Sequence, residues 1–113
     1  MKSKILALSK NEEFKAIVKG NKLSNKYVTI FFKVKKNKNK KRLNISFVTK
    51  KKIGNAVKRN KIKRRLKNIM NEAVKKISIN FNYSYLIIAK STMLNDNYTD
   101  IKEVLFESFK KIK

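Results

Sequence analysis

Apolar positions along the chain change period several times, and each change predicts an element. Ser9 and Glu12 form an S-x-x-E capping box, after which Phe14, Ile17 and Val18 share one helical stripe up to Gly20; this predicts a short first helix with Gly20 as its left-handed stop. Tyr27 to Val34 (YVTIFFKV) is β-branched and aromatic on both faces, which suits a strand covered on one or both sides. The Asn-rich run from Asn37 to Arg42 predicts a turn. Leu43, Ile45, Phe47 and Thr49 then alternate with Asn44, Ser46 and Val48, predicting a second strand in a hairpin with the first.

After Gly54 and Asn55 the period lengthens from two to about 3.6. Ile62, Leu66, Ile69, Met70, Ala73, Val74 and Ile77 hold helical spacing, the strongest such signal in the sequence. Tyr83 to Ala89 (YSYLIIA) predicts a third strand. Asn97 or Thr99 caps a last helix striped by Ile101, Val104, Leu105, Phe109 and Ile112, with acids near its start and lysines near its end, as the helix dipole favours. The order is α-β-β-α-β-α: an α+β sandwich of helices on a small sheet, in one domain spanning residues 1–113.

Charge changes the picture most. The formal net charge is +24, and Lys50 to Lys67 (KKKIGNAVKRNKIKRRLK) places ten Lys and Arg in eighteen positions without an acid. Lys-rich faces are commonly just solvated, but ordinary soluble surfaces mix signs. A polyanion is therefore the expected partner, and binding one should stabilise a fold strained by self-repulsion. At 100° per residue, with Leu66 central to the buried face, Asn60, Lys63, Arg64 and Lys67 form one polar ridge and Lys58, Lys61 and Arg65 another. Arg59 falls in line with Leu66 and should reach over the rim of the core. Gly54 permits a sharp bend and Asn55 can cap the first turn, leaving free N–H groups among Lys50, Lys51, Lys52 and Lys58 where phosphate can bind. Arg59, Arg64 and Arg65 can grip phosphate with paired N–H groups, which Lys cannot.

Other chemistry is poorly represented. With no Cys and no His, and with four of the seven acids beyond residue 95, the chain has neither thiolate metal ligands nor the paired carboxylates of a self-contained nuclease. Absence of Cys suits a reducing compartment. The apolar run Ile5 to Leu8 is too short for a signal-peptide core, and no segment approaches a membrane span. Aromatics such as Phe14, Tyr27, Phe31, Phe47, Tyr83 and Tyr85 belong by default to a core, although one on an open sheet face could stack on an unpaired base. A structural ribosomal protein shares this size and basicity. A DNA-binding module is the other alternative, but no short second helix accompanies the basic one.

The run KKIGNAVKRNKIKRRLK resembles the signature of the bacterial ribonuclease P protein subunit at Lys52, Gly54, Asn55, Ala56, Val57, Arg59, Asn60, Lys63 and Arg64. L-x-K-N-E-E-F around Leu8 to Phe14, S-F-V-T-K-K at Ser46 to Lys51 and Y-L-I-I-A-K at Tyr85 to Lys90 extend the resemblance over nearly the whole chain. It implies a cytoplasmic partner of a catalytic RNA, in a holoenzyme that removes the 5′ leader from precursor tRNA. The RNA and its Mg2+ would perform the hydrolysis, with no catalytic residue and no tightly bound cofactor in this chain, and with neither DNA nor membrane as a partner. A loop with metal affinity is implied as well, its ligands unknown.

By position, Lys51, Lys52, Asn55, Arg59, Asn60, Lys61, Lys63, Arg64, Arg65 and Lys67 would face the catalytic RNA. Phe14, Tyr27, Phe31 and Phe47 would line a cleft between the first helix and the sheet that holds the leader. Lys61 and Lys67 stand where the family usually has Arg, and Val18 where relatives often carry a second aromatic. The family fold also implies a left-handed β-α-β crossover between the second and third strands, as in ribosomal-protein-like domains, whereas general chain topology favours the right-handed form.

Overall fold

In the computed structural model, which describes residues 5–6, 16–35 and 43–112, five strands make one mixed sheet. They are β1 (Ile5–Leu6), β2 (Asn21–Ser24), β3 (Val28–Val34), β4 (Leu43–Val48) and β5 (Tyr83–Ala89), in spatial order β1-β4-β5-β3-β2. Helices α1 (Ala56–Lys76) and α2 (Tyr98–Lys110) each follow a short 3-10 turn, at Lys51–Ile53 and Ser91–Leu94. The α+β class holds. The capping box at Ser9, Phe14, most of the predicted first helix and the turn at 37–42 lie outside the described residues; Ala16 and Ile17 are helical.

The predicted β3-β4 hairpin is not formed. β5 lies between the two strands, antiparallel to β3 and parallel to β4, so that Ile30 pairs with Ile87 and Phe47 also pairs with Ile87. Local alternation identifies strands but not their neighbours, and β5, apolar or aromatic at every position but Ser84, is the one suited to burial on both edges and both faces. α1 is thus the crossover between the parallel neighbours β4 and β5. β1 and β2 were not legible as strands. Asn21–Ser24 has one apolar residue, Leu23, and is held as a strand by its antiparallel register with β3.

Alternation divides the sheet into two faces. Val28, Ile30, Leu43, Ile45, Tyr85, Ile87 and Ala89 enter the main core against both helices. Phe31, Val48, Leu86 and Ile88 point the other way and gather around Ile17. α1 contributes Ile62, Leu66, Ile69, Met70 and Ala73, all buried, and α2 contributes Ile101, Leu105 and Phe109. The two stripes are those the sequence period predicts. Asn97 caps α2, its Oδ1 accepting from the Asp100 N–H at 2.8 Å.

Gly20 is not left-handed, contrary to expectation; Gly54 alone has positive φ among the described residues. Small size is what position 20 requires. A Cβ there would sit 2.9 Å from the Phe32 carbonyl oxygen and 3.1 Å from the Lys33 Cβ, so the turn after Ile17 lies directly on β3. Because Leu66 is fully buried at the centre of the α1 stripe, Leu66→Ala should cost about 2–5 kcal/mol. A lower urea midpoint at unchanged slope is the expected result; an unshifted midpoint would remove Leu66 from the centre of the core.

Candidate nucleic-acid interface

The bend that opens α1 is built from its own residues. Gly54 sits at φ 156°, where a Cβ would meet the Lys58 side chain at 2.8 Å. Asn55 is extended, at φ −72° and ψ 177°, and its Oδ1 accepts from the Lys58 N–H at 3.0 Å. The Arg59 N–H returns to the Asn55 carbonyl at 3.1 Å, which leaves the Ala56 and Val57 N–H groups at the open end. Val57 beside them is 77% exposed. Lys51, Lys52, Asn55 and Lys58 are exposed around this positive helix terminus.

Burial of Ile62, Leu66 and Ile69 fixes the rotation of α1 and hence the aim of its charges. Asn60, Lys63, Arg64 and Lys67 form an exposed ridge on one flank, with no hydrogen bond or ion pair to other described residues. Lys61 is exposed on the other flank. Arg59 is half-buried at the rim, as the spacing predicts, and its Nε is shielded from solvent without a partner. None of the three arginines pairs with a carboxylate among the described residues; the ion pairs there involve Lys26, Lys102 and Lys110.

Arg65 departs from its expected outward aim. Its Nη1 donates to the Met93 carbonyl at 3.0 Å and the Asp96 carbonyl at 3.1 Å. The reason is positional: its flank of α1 is the one closed by the β5-α2 connection, with Glu72 two turns on pairing with Lys102 of α2 at 3.3 Å.

Of the expected cleft residues, Phe14 lies outside the described residues, and Tyr27, Phe31 and Phe47 do not share one face. Tyr27 precedes β3 and is 3% exposed in the main core, its hydroxyl donating to Asp96 Oδ2 at 2.5 Å. Phe47 shares the parity of Leu43 and Ile45 and packs on the helix side. Phe31 alone of the described three lies on the opposite face, half-buried against the cluster of Ile17 and Leu86 that Val48 and Ile88 also join. Two cations flank it on that face: Lys22, its register partner on β2, and Lys33, two residues along β3, both exposed. The sequence signal for them was available, since a basic residue two positions from an aromatic shares its side of a strand. The register with Lys22 was not.

Comparison with known proteins decides the family. The profile described as Ribonuclease P matches residues 3–113. The chain belongs to the ribonuclease P protein family. Ribonuclease P protein components of Carboxydothermus hydrogenoformans and Fusobacterium nucleatum are 36% and 38% identical to it, over 94% of this chain in each case and 90% and 96% of theirs. The RNase P protein of Staphylococcus aureus superposes with TM-score 0.74 at 27% identity, covering 95% of this chain and 94% of that one. That of Thermotoga maritima gives 0.80 at 23% identity, covering 96% and 98%, and shows the same fold. Membership makes this a ribonuclease P protein component, a protein of tRNA processing.

Asp96 ties this family's basic helix to the β2-β3 turn. Its carboxylate accepts from Tyr27 and pairs with Lys26 Nζ at 3.0 Å, and these two partners hold its pKa below the usual carboxylate value. A carboxyl depressed by folding contributes stability that is present above its unfolded pKa, about 3.9, and is lost as pH falls through the lower folded value. Thermal melts from about pH 6 to about pH 2.5 should therefore show a steeper loss for the wild type than for Asp96→Asn. Parallel losses would mean that the Tyr27 and Lys26 contacts carry no folding free energy.

Proposed function

We propose that this chain binds the catalytic RNA of ribonuclease P through the start and one flank of α1, and holds the single-stranded 5′ leader of precursor tRNA on the opposite face of the sheet. The observation that carries this reading is the exposed, unpartnered ridge Asn60, Lys63, Arg64 and Lys67, which begins at the Gly54-Asn55 bend. Such a ridge neutralises phosphates and releases their counterions, lowering the repulsion between two RNAs that must lie side by side. Lys51, Lys52 and the free N–H groups of the helix start add an anion cradle. Arg59, with its orphaned Nε at the rim, reaches toward the same RNA.

For the leader, Phe31 offers an aromatic surface for stacking, and Lys22 and Lys33 on either side suit the flanking phosphates. Phe14 is proposed to face it from the N-terminal segment. Phosphodiester hydrolysis and its Mg2+ are assigned to the RNA. Among the described residues, no group of three His, Cys, Asp or Glu side chains lies together. No helix among the described residues is long and apolar enough to cross a membrane. With these RNA partners, the holoenzyme is proposed to act in the cytoplasm.

Reconstitution with the catalytic RNA at low Mg2+ should restore 5′ leader removal from precursor tRNA; RNA-free protein that cleaves, or protein that leaves the RNA unassisted, would refute the reading. Phe31→Ala should reduce the preference for precursor over mature tRNA by about 5- to 150-fold, the worth of one stacked base. Unchanged preference would clear Phe31 from the leader site. Arg64→Ala should weaken assembly with the catalytic RNA and lower the salt slope of log K by about 0.7–0.9.

A further inference from the structure

Arg65 lies within the most basic stretch of the chain, yet its contacts run inward. One guanidinium nitrogen, Nη1, bridges the carbonyls of Met93 and Asp96, 28 and 31 residues away. Those carbonyls belong to the 3-10 turn and the loop between β5 and α2. The same loop is held from its other side: the Asp96 carboxylate takes the Tyr27 hydroxyl and the Lys26 ammonium, and Thr92 Oγ1 donates to the Lys26 carbonyl at 2.7 Å. Lys90, where β5 ends, donates to Ser24 Oγ at 3.0 Å. The β5-α2 connection is thus clamped between α1 and the β2-β3 turn.

Charge follows the same division. Every acid of the described residues, Glu72, Asp96, Asp100, Glu103 and Glu107, lies on α2, in the loop before it, or on the flank of α1 that carries Arg65. The other flank carries Asn60, Lys63, Arg64, Lys67 and Asn71 and no acid. RNA approaching along α1 meets uninterrupted attraction on one side, whereas on the other the charges of Lys58 and Lys61 give way to carboxylates.

We infer that Arg65 is a brace for the β5-α2 connection and not an RNA contact, and that RNA lies on the Lys63-Arg64-Lys67 flank only. This rests on the proposed RNA-binding role of α1. Two neighbouring arginines of equal charge therefore have opposite signatures. Arg64→Ala lowers the salt slope for catalytic-RNA binding by about 0.7–0.9 and leaves Tm within about 1 °C of wild type. Arg65→Ala leaves the slope within about 0.2 of wild type and lowers Tm by about 5 °C.

Tm losses of Arg65→Ala and Tyr27→Phe should be less than additive when combined, because both release the same loop. If Arg65→Ala fails to fold, that result supports the brace, and Arg65→Gln carries the second comparison: a wild-type slope at lowered Tm is expected, since the charge is removed while a side-chain N–H donor remains near the two carbonyls. Equal slope losses at Arg64 and Arg65 overturn the inference, as does an unchanged Tm for Arg65→Ala or strict additivity with Tyr27→Phe. A wild-type protein without affinity for the catalytic RNA overturns the proposed function instead, and the Tm comparisons then still decide the brace.

Discussion

The angle at which α1 lies against the sheet governs what its surface can do. Ile62, Leu66, Ile69, Met70 and Ala73 form one continuous seam with no exposed member, and burial of each large side chain is worth about 1.5–3 kcal/mol. Rotating the helix by one residue, 100°, would put Lys67 or Arg65 into that seam, at the far larger cost of an unpaired buried charge. The apolar stripe therefore orients a positive face without needing any attractive contact to those charges. Asn55 and Gly54 set where the face begins, and the loop clasped by Arg65 closes one of its sides.

Self-repulsion is the opposing force. A net charge of +24 over 113 residues is only partly screened at physiological salt, and the few carboxylates are placed where they relieve contacts inside the protein. Asp96 joins the β2-β3 turn to the loop before α2, and Glu72 joins the two helices through Lys102. The free ridge and the helix start have no such relief, so an anion arriving there gains both its own contacts and a release of strain in the protein.

How much of this the amino-acid order discloses depends on range. Both helical stripes and the Asn55 and Asn97 caps are local, and each was legible because period and capping chemistry are written within one or two turns. Strand partners are not local: nothing in residues 28–48 says that β5 separates β3 from β4. Tyr27 belongs by default to a core and by resemblance to a cleft, and its place is decided by Asp96, 69 residues later. Arg65 was equally opaque, because a helical wheel shows on which flank a residue lies but not what the chain folds against that flank. Phe31 was placed on the open face by alternation once β3's boundaries were known, while Phe47 fell on the covered one.

The central strand is the last of the five described strands in chain order. β3 and β4 are synthesised with the whole of α1 between them and β5, so both present unpaired edges to the cell until Tyr83–Ala89 emerges and threads between them. Hydrophobic strands held open in this way invite pairing with other nascent chains. The dense lysines of residues 50–67 are already present on such a growing chain, and mutual repulsion between copies would keep those edges apart during the wait.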